Sequence, residues 1–361
     1  MDIPSDKAAL RAALIAQRQY TLALYRDLPA EYWLPENFPY STLVNPPLWE
    51  LSHIAYFAEF FATRWTPDDV LGVITPSLLD VADSLFNSSL VGHRDRWTNT
   101  YPSMAVCAAY TEASLMRVLA ALEALETDDG QRLALFHLVL VHEDMHAESL
   151  LMTLRQLGLA SPNIPGKHLK PQYPRGFSGT LLFAGGPLLQ GASDRQFKFC
   201  NEMPPFDTDI APFEIDAAPV SAADFARWFG KNKMDVAHLA DDCDLAMHMS
   251  HVNASAYAKA HGRRLPTESE WEFAASSNER FLLSTGEAWE WTSTVFAPYP
   301  GFRVGAYAEY SEPWFPESGT PHYVLKGGSF ATHPRLKYPQ YRNFYTPERS
   351  DMFCTFRTCA M

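Results

Sequence analysis

The sequence predicts an α+β chain of two domains, a four-helix bundle followed by a loop-rich mixed domain. Three observations carry this expectation. A length of 361 residues suits two domains at about 100–200 residues each. Apolar periodicity of helical length fills residues 1–157 and is absent from 178–361. Between them, SPNIPGKHLKPQYPRG (161–176) carries four prolines, two glycines and four basic residues, which is linker composition. The expected layout is therefore 1–160 for the bundle, 161–177 for the linker and 178–361 for the second domain.

Within the first part, helices are expected at about 6–27, 46–65, 103–127 and 130–157. The second opens with Pro47, whose missing N–H costs nothing in a first helical turn. The fourth follows the turn Thr127-Asp128-Asp129-Gly130. Residues 66–102, with Pro67, Pro76 and Pro102, form a long connection that could lid one end of the bundle. In the second part, short apolar runs alternate with Gly and Pro, and helices are expected around Thr267–Ser276 and Ser221–Phe229, each opened by a capping hydroxyl.

Composition excludes several classes of function. With 13% aromatic and 20% charged residues the chain is too apolar for disorder. The net charge of −13, without a long Lys/Arg run, argues against nucleic acid or an anionic membrane as partner and leaves a small molecule. Asp2, Asp6, Lys7 and Arg11 precede any apolar run, so no secretory signal is expected, and no segment reads as a membrane span; the expected location is cytoplasmic. Five cysteines, without a CxxC pair, suggest reduced thiols.

The strongest chemical signal is HEDMH (142–146). It places His142 and His146 at i and i+4, on one helical face, where both can reach one metal ion. His53, among apolar neighbours on the second expected helix, is the third ligand offered by a facing helix. His137 lies roughly 140° around the helix from His142 and should face elsewhere. The same five residues also satisfy HExxH, in which Glu143 would be the general base of a zinc hydrolase.

Several stretches resemble known proteins. GRRLPTESEWE (262–272), GEAWEWTS (286–293), LKGGSF (325–330) and a terminal FRTC resemble, in order, the formylglycine-generating-enzyme (sulfatase-modifying factor) fold, a C-type-lectin-like architecture. These motif residues read as scaffold, tying loops together through buried hydrogen bonds. The first part resembles the DinB-like bundle, and the fusion is similar to the iron-dependent sulfoxide synthases of the ergothioneine pathway. WELSHIAYFAEFF (49–61), DSLFNSS (83–89), HEDMHAE (142–148), YPGFRVGAYAEYSE (299–312) and YRNFYTPER (341–349) carry that resemblance. It implies Fe(II) bound by His53, His142 and His146, with O₂ and hercynine, the betaine of histidine, as substrates. It implies hercynine binding by Asn343 and Phe344, and a proton-donating tyrosine near the iron, Tyr310 or Tyr307. Three neutral imidazoles leave open positions on an octahedral iron, and Glu148, roughly 200° from His146, would stand behind the ligands or serve structure.

The sequence also departs from that pattern. Where many relatives have an Arg-rich stretch that receives the carboxylates of cysteine or γ-glutamylcysteine, this chain has only Arg94 and Arg96, offset by Asp95. Tyr345 replaces an acid, Arg349 stays in register, and Met145 stands where a Gln can contact hercynine. These changes resemble the selenoneine synthase branch, whose donor is a selenosugar, a ligand of hydroxyls rather than a zwitterion. The alternatives are a sulfoxide synthase with a cysteine donor, the zinc hydrolase, and a lectin-like binding module beside a structural bundle.

Overall fold

The computed structural model describes residues 3–65, 75–126, 130–193, 195–231 and 244–361; the turn expected at 127–129 and Pro67 lie outside these. The chain divides into two compact units, Met1–Lys167 and His168–Met361, each described by itself below.

Unit 1 is built on four long helices: α1 (Lys7–Tyr25), α2 (Pro47–Glu59), α5 (Met104–Ala124) and α6 (Gly130–Gln156), with one-turn α3 (Ala82–Leu85) and α4 (Asp95–Thr98) in the connection. Local chemistry sets their starts. The Asp6 carboxylate accepts from the Ala9 N–H, Pro47 occupies the first turn of α2, and the Ser103 hydroxyl accepts from Val106 N. All of α2 is buried, including its polar residues Glu50, Ser52, His53 and Glu59, as expected of a helix walled in by its neighbours. It continues into a π-turn, Phe60–Arg64, from which Arg64 forks onto Asp83 at 3.0 and 2.8 Å. Leu48, Trp49, Ala55 and Tyr56 pack with Ala82, Phe86, Cys107 and Tyr110.

One expectation about membranes needs correcting. Among the described residues, α5 is long and apolar enough by composition to cross a bilayer. Its apolar character comes largely from alanine, and Cys107, Tyr110, Thr111, Ser114, Val118, Leu119 and Leu122 are buried in the bundle. Ser114 binds it to α2, donating to the Ala55 carbonyl at 2.6 Å.

Unit 2 has a four-stranded sheet of order β1-β4-β10-β5, a two-stranded ladder β2-β3, and a four-stranded sheet of order β8-β7-β6-β9. The strands are β1 (Thr180–Phe183), β2 (Gly186–Gln190), β3 (Phe206–Ile210), β4 (Phe213–Asp216), β5 (Arg263–Arg264), β6 (Trp289–Val295), β7 (Tyr323–Lys326), β8 (Asn343–Tyr345), β9 (Cys354–Thr355) and β10 (Cys359–Ala360). All pairings are antiparallel except β6 with β9. The expected helices form as α7 (Ala222–Lys231) and α9 (Glu268–Ser277), joined by α8 (His251–Ala260) and α10 (Glu279–Leu282), which periodicity does not mark.

The four motifs of this unit share one buried network. Thr267 and Glu270 form a reciprocal capping box at the start of α9, and Arg264 forks onto Glu270 at 2.8 and 2.6 Å. Trp271 Nε1 donates to Glu290 in the second motif at 2.7 Å, and Arg357 in the last holds both oxygens of Glu290. Lys326 in the third donates to Glu272 in the first at 3.1 Å. Gly328 has φ +85, and a Cβ there would meet Lys337 Cγ at 2.9 Å, so the GG pair is a steric requirement. Buried charges in such numbers persist only when paired this completely, which is a structural use of them.

Candidate metal centre and substrate-binding residues

Helices α2 and α6 bring His53, His142 and His146 together, with their ligand atoms all within 4.8 Å of one another. Ring centroids of His53 lie 5.1 Å from both His142 and His146, and those two lie 4.5 Å apart. Other hydrogen bonds orient the rings. His53 Nδ1 meets the Phe86 carbonyl at 2.8 Å and His146 Nδ1 meets Glu50 Oε1 at 2.8 Å, so Nε2 of each is left for the centre. The rings are also held flat against neighbours, His53 on Trp49 at 4.7 Å and His142 on Phe57 at 3.4 Å. Burial, and after it the charge of His146, holds the His53 imidazole well below its ordinary range; the same causes, with His53 added, act on His142. Three imidazoles converging in this way are a donor set that a divalent first-row metal accepts, so the site fits Fe(II).

The remaining polar residues of α6 have other partners. His137 Nε2 meets the Pro4 carbonyl at 2.8 Å, on another face as expected. Glu143 is bound by Arg18 of α1 at 2.8 and 3.1 Å, with both side chains about 4% exposed. A carboxylate tied this way is not a base for metal-bound water, which removes the central residue of the hydrolase alternative. A carboxylate that reaches a ligand is Glu50. Sequence reading missed it because its partner lies across the bundle; the available signal was an acid in a largely apolar helix, three residues before His53.

Arg96 lies in the same unit, donating to Asn45 Oδ1 at 2.6 Å and stacked on Trp49 at 3.9 Å. Its charge is among those that lower His53. Arg94 is exposed, over the Tyr40 ring at 5.3 Å.

In unit 2 the other candidates fall around β8. The sequence pairs Asn343 with Phe344, and strand alternation separates them. Phe344 is buried with Phe296, Phe315 and Val324, stacked on Phe296 at 3.9 Å, so it serves the core rather than a ligand. Asn343 and Tyr345, both half-buried, share the opposite face. Arg349 stands close to Tyr345. It forks onto Asp351 at 2.9 and 2.5 Å and lies 4.5 Å from the Tyr345 ring, so its charge is already answered. Tyr310 and Tyr307 are half-buried, with parallel rings 5.8 Å apart.

Comparison with known proteins agrees with this architecture. Residues 13–150 match the DinB superfamily and residues 167–285 match the sulfatase-modifying factor enzyme 1-like domain. The chain is 27% identical to the hercynine oxygenase of Mycolicibacterium smegmatis, over 97% of this chain and 98% of that protein. It is also 27% identical to the hercynine oxygenase of Mycolicibacterium thermoresistibile, over 97% and 94%. The two-domain chain is thus matched almost end to end by proteins named hercynine oxygenase. A shorter match is ergothioneine biosynthesis protein 1 of Schizosaccharomyces pombe, 32% identical over 27% of this chain and 16% of that one. The chain is an oxidoreductase, and its DinB superfamily half holds the histidine cluster.

Proposed function

We propose that the chain is a non-haem Fe(II)- and O₂-dependent enzyme that forms a carbon–selenium bond at C2 of the imidazole of hercynine, with a selenosugar as donor. The iron reading is supported by the three converging imidazoles. When bound, Fe(II) in a three-imidazole site supplies open positions at which O₂, the chalcogen donor and the substrate imidazole can meet. The chain's own residues do the rest. Asn343 and Tyr345, on one face of β8, supply hydrogen-bonding groups toward hercynine. Tyr310 is the proton donor: burial holds its phenol well above the ordinary range, so it stays protonated at neutral pH.

The observation that carries the donor assignment is the Arg349–Asp351 pair under Tyr345. An arginine already satisfied by an internal carboxylate has little to gain from a cysteine carboxylate, whereas sugar hydroxyls ask only for neutral donors and acceptors. Mass spectrometry of products from hercynine, O₂ and each donor tests this. The selenosugar should react with kcat/KM at least about tenfold above cysteine or γ-glutamylcysteine, or roughly 1.4 kcal/mol of discrimination. Equal or better turnover of cysteine selects the sulfur reading, which the names of the relatives and the cationic Arg96 favour.

A further inference from the structure

Helix α2 buries two glutamates, and the structure treats them in opposite ways. Glu59 is fully satisfied: its oxygens receive Ser77 Oγ, Leu78 N, Tyr110 OH and Arg117 Nη1, each at 2.7 Å. Glu50 is equally inaccessible, at 0% exposure, yet among the described residues its hydrogen-bond donor is His146 Nδ1 alone, and Oε2 has no hydrogen-bond partner. The Tyr25 hydroxyl, close enough to feel the Glu50 charge, also lacks a hydrogen-bond partner among the described residues. A buried carboxylate with half its capacity unmet destabilises the fold that contains it, so the bundle's own packing does not account for Glu50. A cation on the far nitrogen of the same imidazole does account for it. The carboxylate then sits one ring away from the positive charge, fixing the His146 tautomer and strengthening its Nε2 as a donor.

We propose that Glu50 is the positioning and charge-compensating residue of the metal centre, and that the metal-free bundle carries its burial as a stability deficit which metal binding relieves. The inference rests on reading the histidine triad as a metal site, and it makes a prediction opposite in sign to that of an ordinary structural glutamate. In Glu50→Gln the amide oxygen still accepts from His146 Nδ1, while the buried carboxylate with one oxygen unmet is gone. The metal-free variant should therefore melt higher than the metal-free wild type, by about 2 °C or more. Its affinity for Fe(II), or for Co(II) as an air-stable probe, should fall about 10–100-fold in chelator competition. The melting-temperature gain on adding metal should shrink accordingly.

Glu59→Gln is the structural control. It should lower the metal-free melting temperature and leave the affinity of the folded protein unchanged. Wild-type affinity in Glu50→Gln overturns the proposal, as does a fall in its metal-free melting temperature like that of Glu59→Gln. If Glu50→Gln fails to fold, Glu50→Asp, which keeps the charge and shortens the reach, decides through affinity alone: a loss of tenfold or more supports the proposal and no loss overturns it. A wild-type protein that binds neither metal, or binds it equally after His142→Ala, instead removes the triad reading beneath the proposal.

Discussion

Tyr310 and Tyr341 meet hydroxyl to hydroxyl at 2.8 Å, so one phenol donates to the other. Tyr341 is only 2% exposed, and burial holds both groups well above the ordinary phenol range. The Tyr310 hydroxyl is therefore coupled to a buried neighbour, and the direction of its O–H depends on that neighbour. Tyr310→Phe should change the ratio of coupled product to oxidised donor more than it changes KM for hercynine. Tyr341→Phe should move the ratio the same way by a smaller factor. Tyr307→Phe, which removes a hydroxyl from the parallel ring, is the comparison. Unchanged ratios in both Tyr310→Phe and Tyr341→Phe would place the proton donor elsewhere.

Loss of any one ligand should empty the metal site. With His53, His142 or His146 changed to Ala, bound iron measured by elemental analysis should drop to a small fraction of one equivalent, because two imidazoles under-coordinate the ion. Full occupancy in His53→Ala would remove the ligand contributed by α2.

Strand β8 separates a folding residue from its neighbours. Phe344→Ala should cost about 3–5 kcal/mol by chemical denaturation, since it opens a cavity against Phe296, Phe315 and Val324. Asn343→Ala should cost less than about 1 kcal/mol and appear instead as a raised KM for hercynine. Equal destabilisation by the two would contradict the alternation.

Glu202 predicts a pH dependence of stability. Desolvation, partly offset by hydrogen bonds from Tyr338 at 2.9 and 3.0 Å, pushes its carboxyl up to about 8. Between roughly pH 4.5 and 8 the folded state then holds a proton that the unfolded state has released, so this group's contribution falls as pH rises through that window. The slope is at most about 1.4 kcal/mol per pH unit. Melting curves across the window should decline in wild type and flatten in Glu202→Gln; parallel curves would show that Glu202 ionises normally.

Much of this was legible in the residues. Helical period placed all four long helices, and the i, i+4 spacing put His142 and His146 on one face where they cluster with His53, because both are properties of one segment. What escaped depends on partners distant in sequence or on strand frame. Glu50 and His146 are 96 residues apart, and nothing local to either shows that they touch. Whether Asn343 shares a face with Phe344 or with Tyr345 is decided only when β8 pairs with β7. The Arg349–Asp351 pair spans two residues, but only the folded loop turns the side chains toward each other.

The clasp on Glu59 bears on how molecules reach the bundle interior. Residues 66–102 read in the sequence as a lid, yet Ser77 and Leu78 hold the buried end of α2, and Asp83 holds Arg64 from the same stretch. Swinging residues 77–83 outward would strip Glu59 of two of its four donors and Arg64 of its carboxylate partner together. Four hydrogen bonds to charged groups at about 1.5 kcal/mol each already put such an opening near 6 kcal/mol, or roughly one molecule in 10⁴. An open form of that wall is therefore rarely populated, and residues 77–83 act as a clamp on the buried end of α2.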